Sequence, residues 1–263
     1  MSERVRVSIH SGIADVRLNR PEKLNALDPE MFGALVAAGE RIIADPSVRV
    51  VVLSGEGKGF SAGLDVKSFV GSGGALLARD ASSVANRAQR AAWVWQEVPV
   101  PVIAAIHGVA FGGGLQIALG ADVRYATPDA QLSVMEIKWG LVPDMSGTQT
   151  LRRLVRLDVA KELTFTGRVV SGTEAAALGL VTRVSDDPRA TALATATEIA
   201  GRSPDAIRNG KELLNASGLL SLEDGFLLEE KLQRELLGSP NQIEASMANF
   251  EKRAPNFRDP GAS

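Results

Sequence analysis

Cysteine is absent from this chain, and histidine occurs only at His10 and His107. That removes disulfides, thiol nucleophiles, Cys-ligated metals and His-rich metal sites. Chemistry is left to carboxylates, amides and backbone dipoles. Two glycine-rich stretches supply the last of these: GEGKGFSAGLD (55–65) and GVAFGGGLQ (108–116), each directly after an apolar run. Neither matches a phosphate cradle. Lys58 is followed by Gly59 rather than Ser or Thr, and the second stretch is not G-x-G-x-x-G. A serine-hydrolase elbow also fails, because DMSGTQ (144–149) has Asp144 where the first glycine belongs. His107, at the end of an apolar run, reads as a strand-end histidine rather than a catalytic base.

What fits is a site built from backbone N–H groups. A strand that runs into glycines and then a helix leaves the first-turn amides pointing outward. Two such turns facing each other form an oxyanion hole if no side chain blocks the approach, which explains why both are stripped to Gly, Ala and Ser. Gln116 stands three residues after Gly113, on the same helix face, and so reaches the site. Its amide donates and accepts hydrogen bonds but takes up no proton near neutral pH.

The surrounding elements must hold these turns. VRVSIH (5–10) and IADVRLN (13–19) flank Ser11-Gly12, a two-residue link suited to a tight hairpin. Asp28 is a fitting N-cap and Pro29 a fitting first residue for a helix that stops at Asp45-Pro46. VRVVVLSG (48–55), VPVIAAIHG (100–108) and ADVRYATP (121–128) read as buried strands, mainly parallel because helices separate them. The cluster Gly71-Ser72-Gly73-Gly74 reads as a mobile loop. From about residue 145 the pattern is helical. The division is therefore an α/β core over 1–185 and a helical C-terminal region over 186–263.

At 263 residues, with 45% hydrophobic and 23% charged residues, the chain suits a globular fold. A net charge of −2 argues against nucleic acid as a partner. The longest apolar runs are too short for a membrane, and the N-terminus MSERVRVSIH lacks an apolar signal core, which points to a cytoplasmic protein.

NRPEKLNAL (19–27), FSAGLD (60–65), PVIAAIHGVAFGGG (101–114), GLVPDMSGTQTL (140–151) and TGRVVSGTEAAALGLVTRV (166–184) together resemble the crotonase, or enoyl-CoA hydratase/isomerase, superfamily. The resemblance implies a spiral of ββα units, a helical C-terminal trimerisation region, and a homotrimer or a hexamer of two trimers. It also implies acyl-CoA thioesters as substrates, with no cofactor beyond that coenzyme A. By position, the enolate-stabilising N–H groups belong to Leu64 and Gly113. Hydratases of the family hold water between two glutamates; here those positions carry Gln116 and Glu136.

Glu136 matches the single base of 3-enoyl-CoA isomerases. Asp144 falls where dienoyl-CoA isomerases carry a catalytic aspartate; the competing reading makes it a cap for the helix that begins near Ser146. Double-bond isomerisation is therefore the expected reaction, enoyl-CoA hydration in fatty-acid degradation the alternative, and a non-catalytic CoA-binding paralogue the competing class. The resemblance assigns the CoA end to Lys23, Leu24, Ala26, Ser61, Ala62, Leu64 and Asp65, with Phe250 and Lys252 of a neighbouring subunit at the nucleotide; a solvated helix end is the plain alternative for that last pair. Acyl specificity is expected from 68–95. Trp93 and Trp95 cannot share one helix face, which makes Trp139, three residues after Glu136, the preferred pocket residue.

Overall fold

The computed structural model describes residues 3–69, 74, 77–79 and 83–260. Of the glycine cluster expected to form a mobile loop, 71–73 lie outside the described residues.

The chain opens with β1 (Val5–His10) and β2 (Ile13–Leu18), paired antiparallel across Ser11-Gly12. Both turn residues have positive φ, 50° and 78°, as a two-residue hairpin turn of this hand requires. The expected cap is present on α1 (Pro29–Ile43): the Asp28 carboxylate accepts from the Met31 N–H at 2.8 Å, an interaction generally worth about 1 kcal/mol.

Three buried runs then form parallel neighbours: β3 (Val50–Gly55), β4 (Val102–Ile106) and β6 (Val123–Ala126). Together with β9 (Arg183–Val184) they complete a six-stranded sheet ordered β1-β2-β3-β4-β6-β9. Alternation along these strands divides the core. Val51, Leu53, Val102, Ala104 and Ile106 pack with Leu35 and Ile42 of α1 and with Val94 and Trp95 of α2 (Arg87–Glu97). Val50, Val52, Ile103 and Ala105 face the other way, onto Ala192 and Ala196 of α7 (Pro188–Ala200).

A smaller sheet joins β5 (Val109–Phe111), β7 (Gln131–Ser133) and β8 (Val170–Ser171). It carries the second glycine turn into α3 (Gly113–Leu119), a helix buried over all seven residues. The remaining helices are α4 (Gly147–Leu154), α5 (Leu157–Thr166), α6 (Gly172–Leu178), α8 (Pro204–Ala216), α9 (Leu222–Leu236) and α10 (Pro240–Glu251).

Lys211 anchors α8. Its ammonium donates to Trp95 O, Val100 O and the Asp122 carboxylate, three acceptors for three protons. Burial lowers its pKa. The outer faces of the last three helices leave Leu214, Leu222, Phe226 and Phe250 between 60% and 83% exposed. Among the described residues no helix is long and apolar enough to cross a membrane.

Candidate active site

The two glycine turns touch. Ser61 N donates to Val109 O at 2.9 Å and Phe111 N to Ser61 O at 3.0 Å, which laces the FSAG segment to β5. Gly63, at φ 83°, lies so close that a Cβ there would stand 2.5 Å from Phe111 O and 3.5 Å from Gly113 N. No L side chain fits that backbone. Among the described residues neither Leu64 N nor Gly113 N donates to another backbone group. The two turns lead into different elements. Gly113 opens α3, whereas the 61–65 segment continues through a bridge between Leu27 and Leu64 into a short 3-10 turn at Val66–Phe69, not an α-helix.

Asn25 explains why the first turn holds its shape. Fully buried at φ 54°, its side chain accepts from Arg20 N and donates to Glu56 O and Gly59 O, all within 2.9 Å. Ser61, equally buried, donates from Oγ to Asn25 O and accepts from Gly63 N. Its hydroxyl is therefore a brace. Asp65 is held by Arg20 at 2.9 Å, and that guanidinium keeps its carboxyl below the ordinary range. Lys23 and Leu24 lie on the outer side of this turn, with Leu24 at φ 49° and its carbonyl accepting from Ala62 N. Ala26 is buried beneath them.

Gln116 reaches the cluster, and its role is specific. Its amide oxygen accepts from Met145 N at 2.9 Å and Gly147 N at 2.8 Å. Its amide nitrogen donates to Glu136 Oε1 at 2.5 Å. Those partners fix which way the amide points, since the oxygen must face two donors and the nitrogen one carboxylate. A Cβ on Gly147 would fall 2.5 Å from that amide oxygen, so only glycine admits the arrangement.

Glu136 begins a 3-10 turn that ends at Trp139. Glu136 is 9% exposed, and among the described residues its second oxygen, Oε2, is buried without a hydrogen-bond partner. Gly112 beside it lies at φ 49°, a backbone conformation that suits glycine; a Cβ there would make only an ordinary contact with Oε1, at 3.4 Å. Burial is the main cause of a raised pKa at Glu136. The Gln116 hydrogen bond pulls the other way, and the charge of Asp144 adds to the rise. Asp144 is itself raised by burial. The N-cap of α4 is Ser146, in the left-handed region at φ 67°, so Asp144 sits outside the cap position and lines a cavity instead.

That cavity, about 860 Å³, runs from Asp144 along α2 and is lined by Trp93, Arg90 and Gln149 among others. Trp95 is fully buried in the core. Trp139 is 63% exposed and is not part of the cavity wall. Phe250 and Lys252 stand exposed at the end of α10. Sequence reasoning passed over Asn25, Met145, Gly147 and Arg90. Asn25 lies inside NRPEKLNAL and Met145 and Gly147 inside GLVPDMSGTQTL, but neither stretch shows which of its residues make the buried bonds.

Among the described residues the arrangement is one buried carboxylate beside two adjoining turns whose Leu64 and Gly113 N–H groups donate to no other backbone group. The model of the enoyl-CoA hydratase/isomerase family matches residues 8–260. The chain belongs to that family. A "Probable enoyl-CoA hydratase" of Mycobacterium tuberculosis is 36% identical over 260 residues, covering 97% of this chain and 98% of the relative. Another so named in Bacillus subtilis is 35% identical over 257 residues, at 97% and 98% coverage. The crystal structure of an enoyl-CoA hydratase from Bacillus anthracis superposes with a TM-score of 0.88 at 31% identity, covering 97% of this chain and 98% of that one. This family member thus has the α/β crotonase fold expected from its motifs, and its relatives bear the name of the alternative reaction, hydration, rather than the one favoured from sequence.

Proposed function

We propose that this family member shifts a double bond in an enoyl-CoA thioester through an enolate, with Glu136 as the single acid–base group. The observation that carries the reading is the state of Gln116. Its oxygen is occupied by two backbone donors and its nitrogen by Glu136. It has neither a carboxylate nor a spare acceptor with which to draw a proton from water. Glu136, raised by burial, is the stronger base for it. In this reading Glu136 Oε2 takes the α-proton, negative charge moves to the thioester oxygen, and Leu64 N–H and Gly113 N–H receive it. Donors placed where charge develops act mainly on the transition state, each worth roughly 3–4 kcal/mol. The same carboxyl then returns the proton further along the acyl chain, and Asp144 serves a dienoyl substrate at the far carbon.

Hydration is the second reading, favoured by the names of the relatives. It would ask Asp144 to replace the carboxylate missing at 116. Crotonyl-CoA, a 3-enoyl-CoA and a 3,5-dienoyl-CoA should be offered to the wild type, Glu136→Gln and Asp144→Asn. Isomerisation of the second or third substrate that collapses in Glu136→Gln supports the proposal. Fast Glu136-dependent hydration of crotonyl-CoA overturns it in favour of a hydratase. Tight acyl-CoA binding with no turnover of any substrate would leave the non-catalytic paralogue.

The CoA end is assigned on this reading to Lys23, Leu24, Ala26, Ala62 and Leu64. A homotrimer or a dimer of trimers would bring Phe250 and Lys252 of a neighbouring copy to the nucleotide. The exposed apolar residues of α8 to α10 support such an assembly. Light scattering on the purified chain tests it, a monomer being the adverse result.

A further inference from the structure

The FSAG segment lies between two neighbours. On one edge Ala62 N donates to Leu24 O, Leu27 N donates to Gly63 O, and Asp65 N donates to Leu27 O. On the other edge Ser61 N donates to Val109 O of β5. Gly63 O and Leu64 N belong to one planar trans peptide and so point in opposite directions. Because the oxygen faces Leu27, the Leu64 N–H is turned away from it, to the β5 side where the Gly113 turn lies. The bridge between Leu27 and Leu64 therefore sets the direction of this one N–H group.

Arg20 ties the two sides of that bridge together. Its side chain is 11% exposed, and a single nitrogen, Nη1, meets Asp65 Oδ2 at 2.9 Å and Ala26 O at 3.1 Å. That nitrogen carries two hydrogens. One serves the residue after Leu64 and the other the residue before Leu27. The bond to Asp65 is charge-assisted, a class roughly twice as strong as neutral hydrogen bonds. The Asp28 carboxylate lies 3.6 Å from the same nitrogen but has partners of its own, Arg4 at 2.8 Å and Met31 N. The cap of α1 therefore stands without Arg20.

Resting on the acyl-CoA reading, we propose that Arg20 is a positioning residue for the thioester oxygen: by tying Asp65 to Ala26 it fixes the peptide between Gly63 and Leu64, and so aims the Leu64 N–H. Asp65 acts with it as one unit. A displacement of about 1 Å in such a group is enough to cost roughly 10²-fold in rate.

Butanoyl-CoA, isotope-labelled at the thioester carbonyl, tests this in infrared difference spectra without turnover. Binding to the wild type should lower the carbonyl stretch, since two donors polarise that bond. Arg20→Met should lose part of the lowering while Kd for butanoyl-CoA stays within about threefold. Exchange of the α-proton in deuterated water, at saturating thioester, should slow by about 10²-fold. Asp65→Ala should behave alike, and the double variant should be no worse than either single one, as expected of two residues in one network. Arg20→Lys should recover most of the loss. If Arg20→Met does not fold, Asp65→Ala, which removes only the bond next to Leu64, carries the same test. A wild-type carbonyl stretch and exchange rate in these variants, whatever their Tm, would overturn the proposal, as would a loss confined to Kd. No lowering of the stretch in the wild type would instead sink the acyl-CoA reading itself, and this inference with it.

Discussion

The cluster around Gln116 and the cavity beyond Asp144 share a loop but are built on opposite terms. In the first, the Gln116 amide has one orientation available to it, set by buried partners and by the glycine at 147. In the second, charged side chains sit at the surface and pair with one another across α1 and α2. Buried networks are costly to disturb, whereas exposed pairs contribute little. The difference teaches where this fold keeps its chemistry constant and where it can change substrate cheaply.

The largest expected effect comes from Glu136→Gln, which should lower kcat for α-proton transfer by about 10²–10⁴-fold. Because burial raises the Glu136 pKa, the folded state holds that proton more firmly than the unfolded chain does. Its contribution to stability is then full at low pH and is lost as pH rises through the folded value. The neutral variant should therefore keep or raise Tm at neutral pH while losing activity. A fall in Tm that matches the loss of activity would show Glu136 to be structural.

Gln116→Leu comes next. It leaves Met145 N and Gly147 N buried without an acceptor, at about 1–3 kcal/mol each, measurable by urea unfolding. It also removes the bond that pulls the Glu136 pKa down, so the acidic limb of the kcat/KM profile should move to higher pH. An unchanged profile would dissolve the link between amide and carboxylate.

Asp144→Asn should act in the opposite sense. Removing a neighbouring negative charge lowers the Glu136 pKa, and the acidic limb should shift to lower pH. An upward shift would contradict the coupling. The smallest effect on stability belongs to Gln149→Leu, expected within about 0.5 kcal/mol of wild type. A much greater loss would place this wall among the rigid parts of the molecule.

The buried strands and the capped α1 were readable because their patterns are local. Asp28 precedes Pro29, and VVVLSG is apolar from end to end. β5, β7, β8 and β9 were missed since two or three residues carry no period. The helix expected after FSAG does not form, because Leu64 bridges to Leu27 and Asp65 is drawn to Arg20. For the site, helical spacing placed Gln116 near Gly113, but its partners lie 20 to 31 residues further on. No local pattern names them. Trp139 seemed well placed by its distance from Glu136 along the chain, yet a 3-10 turn carries it outward and leaves the cavity to Trp93.

The fixed direction of the Gln116 amide also bears on how such enzymes diverge. A codon for glutamine becomes one for glutamate by a single base change. The oxygen side of the new residue would keep its two backbone donors. The other side would press a carboxylate oxygen against Glu136 at the present 2.5 Å separation, which only a shared proton permits. The step between the two chemistries is short in the gene and steep in the protein. A lineage crossing it would have to move the 145–147 loop first, or accept one carboxyl group that stays protonated.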